Sequence, residues 1–554
     1  MANAARRLAI TEPLRERVFR RIWISSVFSN LGQQMQAVAA AWTMLQLTHR
    51  ADLVAMVQTA AMLPIMLLAL VAGAIADMYD RRKVTMIALM VCVSGAGMLA
   101  TVSALGLITP ALILIGCFIT GAGMSLYSPA WQASAAEIVG VKALPAAVAL
   151  YSMSNNAARS VGPALGGIVI ATVGMVAAFA MNTLLFIPLI LALFMWKRQA
   201  KPPRLPPERL DRAMLTGLRY VRHSPPIRRV LVRCIVTSMG GAAIYAMTPL
   251  VAHHILQGGP GTYGILLGGF GLGAVTSAIV AADVRGRYSA EALTKISSII
   301  LGFAILLLAF SPYLALSVCA TIAAGSAWMI SISIYNVAVQ LSAPRWVSGR
   351  ALSTFHAAIS GGLAGGALLW GDLAEAHGVV TALLMASAVM LLSPLLGFVL
   401  RVPDAVATEI VPPSKSDPVL QIPLTGRSGP IVVEIEYRIA THQARDFFDA
   451  MRGLRRSRER NGAFDVSLAR NISDPEIWVE RFHYPTWNDY LRARDRLTAD
   501  DSQLRDRAQA FHKGDGPPRI TRMLERPTGS VRWREDALDP GDNLSGPGSV
   551  FGSG

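Results

Sequence analysis

Arg159 is the residue in this chain whose position most demands a chemical reason. It stands near the middle of an apolar stretch, 146–170, with no acid at the same depth. An uncompensated cation in hydrocarbon costs roughly 2.5–3.5 kcal/mol on insertion scales, so such a side chain is hydrated or paired. Two readings are open. It faces a wet cavity and meets an anionic group of a small molecule, or it bonds helix carbonyls and neighbours such as Asn155 and Asn156. Asn30, Gln33, Gln34, Gln132, Tyr245 and His356 also fall inside apolar stretches. Each can line the same cavity or join helices through hydrogen bonds. Carboxylates deep in an apolar stretch, the usual proton carriers, are absent. Asp52, Asp372 and Glu375 lie toward one set of ends, Asp77 and Glu137 toward the other. No phosphate-binding loop, H-E-x-x-H, G-x-S-x-G or zinc spacing occurs, so neither an ATP-driven pump nor a membrane protease is supported.

Two short segments carry spacing that suits moving helices. In Gly73-Ala74-Ile75-Ala76-Asp77-Met78-Tyr79-Asp80-Arg81-Arg82-Lys83, Gly73 lets another helix backbone approach closely. Asp77 can accept hydrogen bonds from the start of a neighbouring helix, where the dipole is positive. Arg81 can pair with Glu137, the one acid at the matching end of the fourth apolar stretch. In Gly162-Pro163-Ala164-Leu165-Gly166-Gly167, the proline removes a backbone donor and permits a kink. The glycines there allow tight helix packing that can seal a cavity on one side.

The elements that must hold these residues are membrane helices. The chain has 554 residues, 53% hydrophobic and 16% charged, with mean hydropathy +0.44; a soluble globular chain averages roughly 25% charged. Twelve stretches of about 20 apolar residues lie near 22–47, 53–76, 84–106, 110–136, 146–170, 174–196, 229–255, 261–282, 292–311, 313–341, 351–375 and 379–400. Loop charge alternates along them. Arg81, Arg82 and Lys83, then Lys142, then a basic connection from Lys197 to Arg229, then Arg285, Arg287, Arg345 and Arg401 fall on one side. The opposite loops hold only Arg50. The positive-inside rule then places both termini of this multi-pass chain on the cytoplasmic side. The net charge of +16 sits wholly in residues 1–400, so it orients a chain in a bilayer and does not call for nucleic acid. Cys92, Cys117, Cys234 and Cys319 all fall in apolar stretches and read as buried thiols, with no metal spacing among them.

The expected organisation is a cytoplasmic N-terminus (1–21), a six-helix bundle (22–196), a central loop with an amphipathic helix (197–228), a second six-helix bundle (229–400), a Pro-rich linker (401–429), an α+β domain (430–527) and a disordered end (528–554). The central helix puts Leu210, Met214, Leu218 and Val221 on one stripe. The two bundles echo each other weakly: GPALGG at 162–167 against GGLAGG at 361–366, and Trp131-Gln132 against Trp328 with Asn336 and Gln340. Repeats of this kind are common in secondary transporters. In the α+β domain, strands near 431–439, 463–470, 476–484 and 518–526 alternate with helical stretches in the order βαββαβ, which is ferredoxin-like.

The loop at 73–83 resembles the signature of the major facilitator superfamily, G-x-x-x-D-(R/K)-x-G-(R/K)-(R/K). Gly73, Asp77, Arg81 and Arg82 match; Met78 replaces a base and Asp80 the second glycine. The resemblance implies an all-α membrane fold of two six-helix bundles and makes the eleventh span the neighbour of Asp77. GPALGG resembles the antiporter motif G-P-x-x-G-G of proton-coupled drug exporters. SPAWQASAAEIV (128–139) and NNAARSVGPALGG (155–167) resemble the bacterial branch that includes the enterobactin exporter. That branch implies export of siderophore-like or drug-like small molecules by alternating access, driven by the proton gradient without a bound cofactor. The tail resembles antibiotic-biosynthesis-monooxygenase domains through YRI at 437–439 and WVERFHYPTWNDYLRA at 478–493. Such domains pair through their sheets, which implies a homodimer module; a permease fused to a cofactor-independent oxygenase, and a non-transporting membrane sensor, stand as alternatives.

Overall fold

The computed structural model describes residues 12–196, 210–344, 347–403, 421–422, 424–495, 497–514 and 516–525. The side chains of Asp77, Gln132, 278–286 and several residues between 133 and 149 lie outside that description, as do the Pro-rich opening of the central loop, most of the linker and the end beyond 525. The chain divides into two compact units. One comprises Met1–Met214, Pro226–Gln340 and Gly349–Ala405; the other comprises Leu215–Pro225, Leu341–Ser348 and Val406–Gly554.

The first unit is helical. Its helices are α1 (Arg17–Thr48), α2 (Ala51–Met78), α3 (Arg81–Ala104), α4 (Pro110–Thr172) and α5 (Met175–Met195). After α6 (Leu210–Arg222) of the central loop come α7 (Pro225–Leu250), α8 (Pro260–Arg287), α9 (Ala290–Phe310), α10 (Leu314–Ser342), α11 (Ser348–His377) and α12 (Val379–Leu392). Capping sets several starts. Asp80 accepts from the Lys83 amide at 3.0 Å, and Ser289 from the Ala292 amide at 3.2 Å, each satisfying a donor that a helix start leaves free. Alternate loops gather at two ends, one bearing Arg81, Arg82 and Lys83 (the basic end), the other bearing His49, Gly174 and Gly378 (the far end).

Nine helices among the described residues are long and apolar enough to cross a membrane, against twelve stretches expected from sequence. The helical segments that fall short are α1, the second part of α4, and α8. α1 and the second part of α4 spend their length on Ser, Asn, Gln and Arg159, while the side chains 278–286 of α8 lie outside the description; the three meet one another across the middle of the unit. Polarity there follows from facing protein rather than lipid.

Three further boundaries differ from the sequence reading. The first helix starts at Arg17, not at 22, and takes in Arg17, Arg20 and Arg21. The fourth and fifth stretches form one unbroken helical run, α4. Its contacts nevertheless double back. Gln36 of α1 donates to Thr120 at 3.3 Å, and Gly166 abuts the neighbouring Met35. A straight helix would separate Thr120 from Gly166 by about 69 Å. The run therefore reverses between Trp131, stacked on Phe19, and Leu150, whose carbonyl accepts from the Trp23 indole at 2.9 Å. The expected last span also breaks, at Ser393–Leu395 around Pro394, before a final turn Leu396–Val399. Cys92, Cys117 and Cys234 are buried, but Cys319 is exposed on α10 among the described residues.

The second unit holds a four-stranded antiparallel sheet in the order β2-β3-β1-β4, with β1 Ile431–Arg438, β2 Phe464–Arg470, β3 Ile477–Tyr484 and β4 Arg519–Leu524. Helix α13 (Ala444–Arg460) joins β1 to β2, and α14 (Trp487–Asp495) with α15 (Ala499–Gln509) joins β3 to β4. Ile431, Val433, Ile435 and Tyr437 alternate onto one face, where Phe447, Met451 and Leu454 of α13 cover them, as a period of two meeting a period of 3.6 requires.

This unit is not confined to the tail. It includes the end of α6 and the turn Leu341–Ser348. Tyr220 is 2% exposed, with Arg460 over its ring at 5.6 Å and its hydroxyl 3.4 Å from the Ser342 carbonyl. His223 lies 3.6 Å from Glu459. The expected stripe on α6 is therefore divided. Val221 is buried beside Tyr220, while Leu218 is 48% exposed and lines a cleft of about 410 Å³ with Arg219, Arg222 and His223. The tail domain covers the Tyr220 side of the helix, a partner that periodicity alone does not reveal.

Candidate functional site: a sealed helix interface with a central arginine

Glycine builds the contact between the two halves of the first unit. Gly162 and Gly166 of α4, one turn apart, face α1: a Cβ on Gly162 would stand 2.6 Å from the Gln34 Cβ, and one on Gly166 2.9 Å from the Met35 Cα. Gly167 and the carbonyl of Pro163 turn instead to α8. A Cβ on Gly167 would stand 2.5 Å from the Pro260 carbonyl oxygen; one on Gly264, 2.6 Å from that of Pro163; one on Gly268, 3.1 Å from that of Ser160. Gly271 closes on the Arg159 carbonyl. The α8 glycines recur at intervals of four and three, one helix face, so backbone meets backbone from the far end down to Arg159. Other helices extend the closure. The amide of Ala51 donates to Glu375 at 2.7 Å, the Thr59 hydroxyl donates to the Ala364 carbonyl at 3.0 Å, and Trp42 stacks on Tyr263 at 6.3 Å.

Arg159 is the first side chain beneath this seal. It is half-buried, with its guanidinium carbon 6.0 Å from the centre of the Trp328 ring on α10. No ion pair or hydrogen bond to its side chain forms among the described residues, and Asn155 bonds the Tyr151 carbonyl of its own helix at 3.2 Å instead. Tyr245 of α7 and Phe270 of α8 complete an aromatic wall, with Tyr245 at 5.1 Å from Phe270 and 6.2 Å from Trp328, and Phe270 at 5.9 Å from Trp328. Gly241 makes room for the indole, whose buried Nε1 has no partner among the described residues.

The remaining polar candidates disperse. Asn30 donates to Ser154 at 3.1 Å and joins α1 to α4. Gln34 packs on Gly162. His356 is exposed on α11 beside Phe355, and the Gln132 side chain lies outside the described residues. A buried chain that sequence reading missed runs from Thr120 to Gln36 to Asn182. Neither Gln36 nor Asn182 stood out by spacing.

At the basic end, Arg81 meets Glu137 at 2.9 Å with both side chains about a quarter exposed. Arg82 donates to the carbonyls of Leu193 at 3.0 Å and Phe194 at 2.6 Å, a cation at the negative end of α5. Gly73 abuts Ser353 of α11; a Cβ there would stand 2.8 Å from its hydroxyl. Asp80, which stands where the signature has glycine, serves as the cap of α3. The Asp77 side chain lies outside the described residues. A second ion pair went unread: Arg233 of α7 grips both oxygens of Glu291 on α9, at 2.8 and 2.7 Å, with side chains 2% and 9% exposed. The Val402 amide adds a third bond at 2.9 Å. Sequence reading singled out neither Arg233 nor Glu291.

In the second unit, Glu480 is 1% exposed and satisfied by Arg458 at 3.2 Å and the Tyr437 hydroxyl at 3.2 Å. Burial, with Glu480 beside it, pushes the Tyr437 hydroxyl well above its ordinary range. This network is closed on itself and packed in the core.

Two helical halves meeting on glycine faces around a central charge, with the superfamily loop at one end, define a membrane transporter of the major facilitator type. A family model described as transmembrane secretion effector matches residues 9–528, and the chain belongs to that family. The multidrug efflux pump Tap of Mycolicibacterium fortuitum is 27% identical over 390 residues, covering 67% of this chain and 92% of its own. The staphyloferrin A transporter of Staphylococcus aureus is 22% identical over 300 residues, covering 54% and 75%. Among solved structures, a bacterial homologue of the human lysosomal transporter Spinster, inward-facing and occupied, superposes with TM-score 0.56 at 11% identity over 70% of this chain and 97% of that one. The family and these relatives are transporters, and the chain is a transporter rather than an enzyme.

Proposed function

We propose that this protein exports small organic molecules, siderophore-like or drug-like, across the bacterial inner membrane by alternating access, driven by the proton gradient. The observation that carries this reading is the glycine seal. A GPALGG segment closing backbone to backbone on a second glycine face makes a gate that opens without remodelling side chains. The names of the efflux and siderophore relatives support the cargo class. In this reading twelve helices cross the membrane, the reversal of α4 supplying the fourth and fifth, α1 crossing although polar, and α8 crossing with its apolar stretch 261–282. The basic end and both termini are cytoplasmic.

The tail is a ferredoxin-like module, as the order β2-β3-β1-β4 supports, and it pairs two copies of the chain. Strand β4 is an edge along which Ile520 and Met523 are 43% and 37% exposed, and such edges are covered by a further strand or chain. The closed Tyr437–Glu480–Arg458 network favours a module over an oxygenase acting on the cargo. A strain lacking the protein should accumulate drug-like dyes and secrete less siderophore than its parent, with both restored by the intact gene. Unchanged accumulation, resistance and secretion across a broad panel would contradict export.

A further inference from the structure

We propose that Arg159, Trp328, Tyr245 and Phe270 form a binding site for an organic anion carrying an aromatic ring, such as an aromatic carboxylate. The inference rests on the transporter reading and specifies the cargo class of that central site. Arg159 brings a permanent charge and five donors, none of them used by the described residues. The Trp328 ring does not neutralise it, since a cation–π contact at 6.0 Å is at the limit of the interaction. A carboxylate, with two oxygens matched to the guanidinium fork, completes it.

The aromatic requirement comes from what surrounds that charge. Trp328 and Phe270, each 3% exposed, lie behind the partly exposed Tyr245, all three within 6.2 Å of one another in tilted and edge-on arrangements, so a further ring meets this wall at Tyr245. The charge comes from α4 and the rings from α7, α8 and α10, so one molecule with both features bridges the two halves. It does so directly beneath the Gly271–Arg159 contact, where the seal ends. A ligand held there touches the gate on both sides and favours the closed far end.

The test measures binding to purified full-length protein in nanodiscs, with no transport involved. The probes are 2,3-dihydroxybenzoate, its uncharged amide, and the cation tetraphenylphosphonium. The expected result is a carboxylate affinity about tenfold or more above that of the amide, the worth of one charge-assisted hydrogen bond, with the cation weakest. Arg159→Gln should erase the carboxylate advantage, Arg159→Lys should keep part of it, and Trp328→Leu should weaken carboxylate and amide alike. Equal wild-type affinity for carboxylate and amide overturns the proposal, and so does wild-type carboxylate affinity in a monodisperse Arg159→Gln protein. Should Arg159→Gln fail to fold, the wild-type probe series and Arg159→Lys still decide. Selective binding without efflux of the same compound would leave this site standing and remove the export reading; efflux without anion selectivity would do the reverse.

Discussion

Gly167→Ala tests the seal at its tightest backbone contact. The added methyl would stand 2.5 Å from the Pro260 carbonyl oxygen and 3.2 Å from the Cα atoms of Gly261 and Gly264. All three are backbone atoms, and the nearest lies about 0.9 Å inside the ordinary contact distance of 3.4 Å, so the helices must part. Overpacking of this kind costs about 1–3 kcal/mol. Alanine also raises helix propensity by about 1 kcal/mol, but equally in the open and closed states, so that gain leaves their ratio alone. The net effect is a shift of about 5- to 150-fold toward far-end opening. The assay is labelling of Ser160→Cys, in a Cys319→Ser background, by a membrane-impermeant thiol reagent added from outside the cell. The parent should be protected, and Gly167→Ala should label faster by a factor in that range and export more slowly. Unchanged labelling and export at normal expression would refute the gate.

Other outcomes follow from the same contacts. Arg81→Ala and Glu137→Gln should each slow efflux yet change stability by no more than about 1 kcal/mol, since the pair is partly exposed; normal efflux in both would count against a gate at that loop. Breaking the buried pair with Arg233→Met should cost about 3–5 kcal/mol, and Arg233→Met with Glu291→Met should recover most of it, read as melting temperature in detergent. In the tail, burial opposes ionisation of Asp501, but Arg460, Ser457 and Thr498 outweigh it and hold its pKa below the ordinary value. Its stabilising share is thus present above the unfolded pKa near 3.9 and lost as pH falls through the lower folded value. Hydrogen-exchange protection of α15 should fade with acid in the wild type and be low and flat over that window in Asp501→Asn. Cytoplasmic reporters fused at Pro412 should be active; periplasmic activity there would sink the twelve-span orientation.

Hydropathy and loop charge made most of the membrane helices legible, because lipid-facing residues must be apolar whatever they pack against. The signal was weaker for α1 and the second part of α4, which carry Ser, Asn, Gln and Arg159 and whose neighbours are other helices. Strand positions in the tail were readable because β1 alternates between a covered and an open face. What spacing could not show was partnership across long separations. Trp328 read as an echo of Trp131, and only the fold brings it within 6.0 Å of Arg159. Neither Glu291 nor Arg233 was singled out by spacing, and only the fold pairs them. The attachment of Tyr220 to the tail was equally hidden, because an amphipathic helix declares that one face is covered but not by what. Asp80 shows the opposite case: a departure from the superfamily pattern that local chemistry explains, as a helix cap.

Uptake into everted membrane vesicles tests the central claim most directly, since it reads direction, cargo and energy source together. With an imposed proton gradient, acid inside, vesicles carrying this chain should take up an aromatic organic anion faster than vesicles lacking it, and a protonophore should abolish the difference. Equal uptake with and without the chain, at verified membrane levels, would contradict a proton-driven exporter.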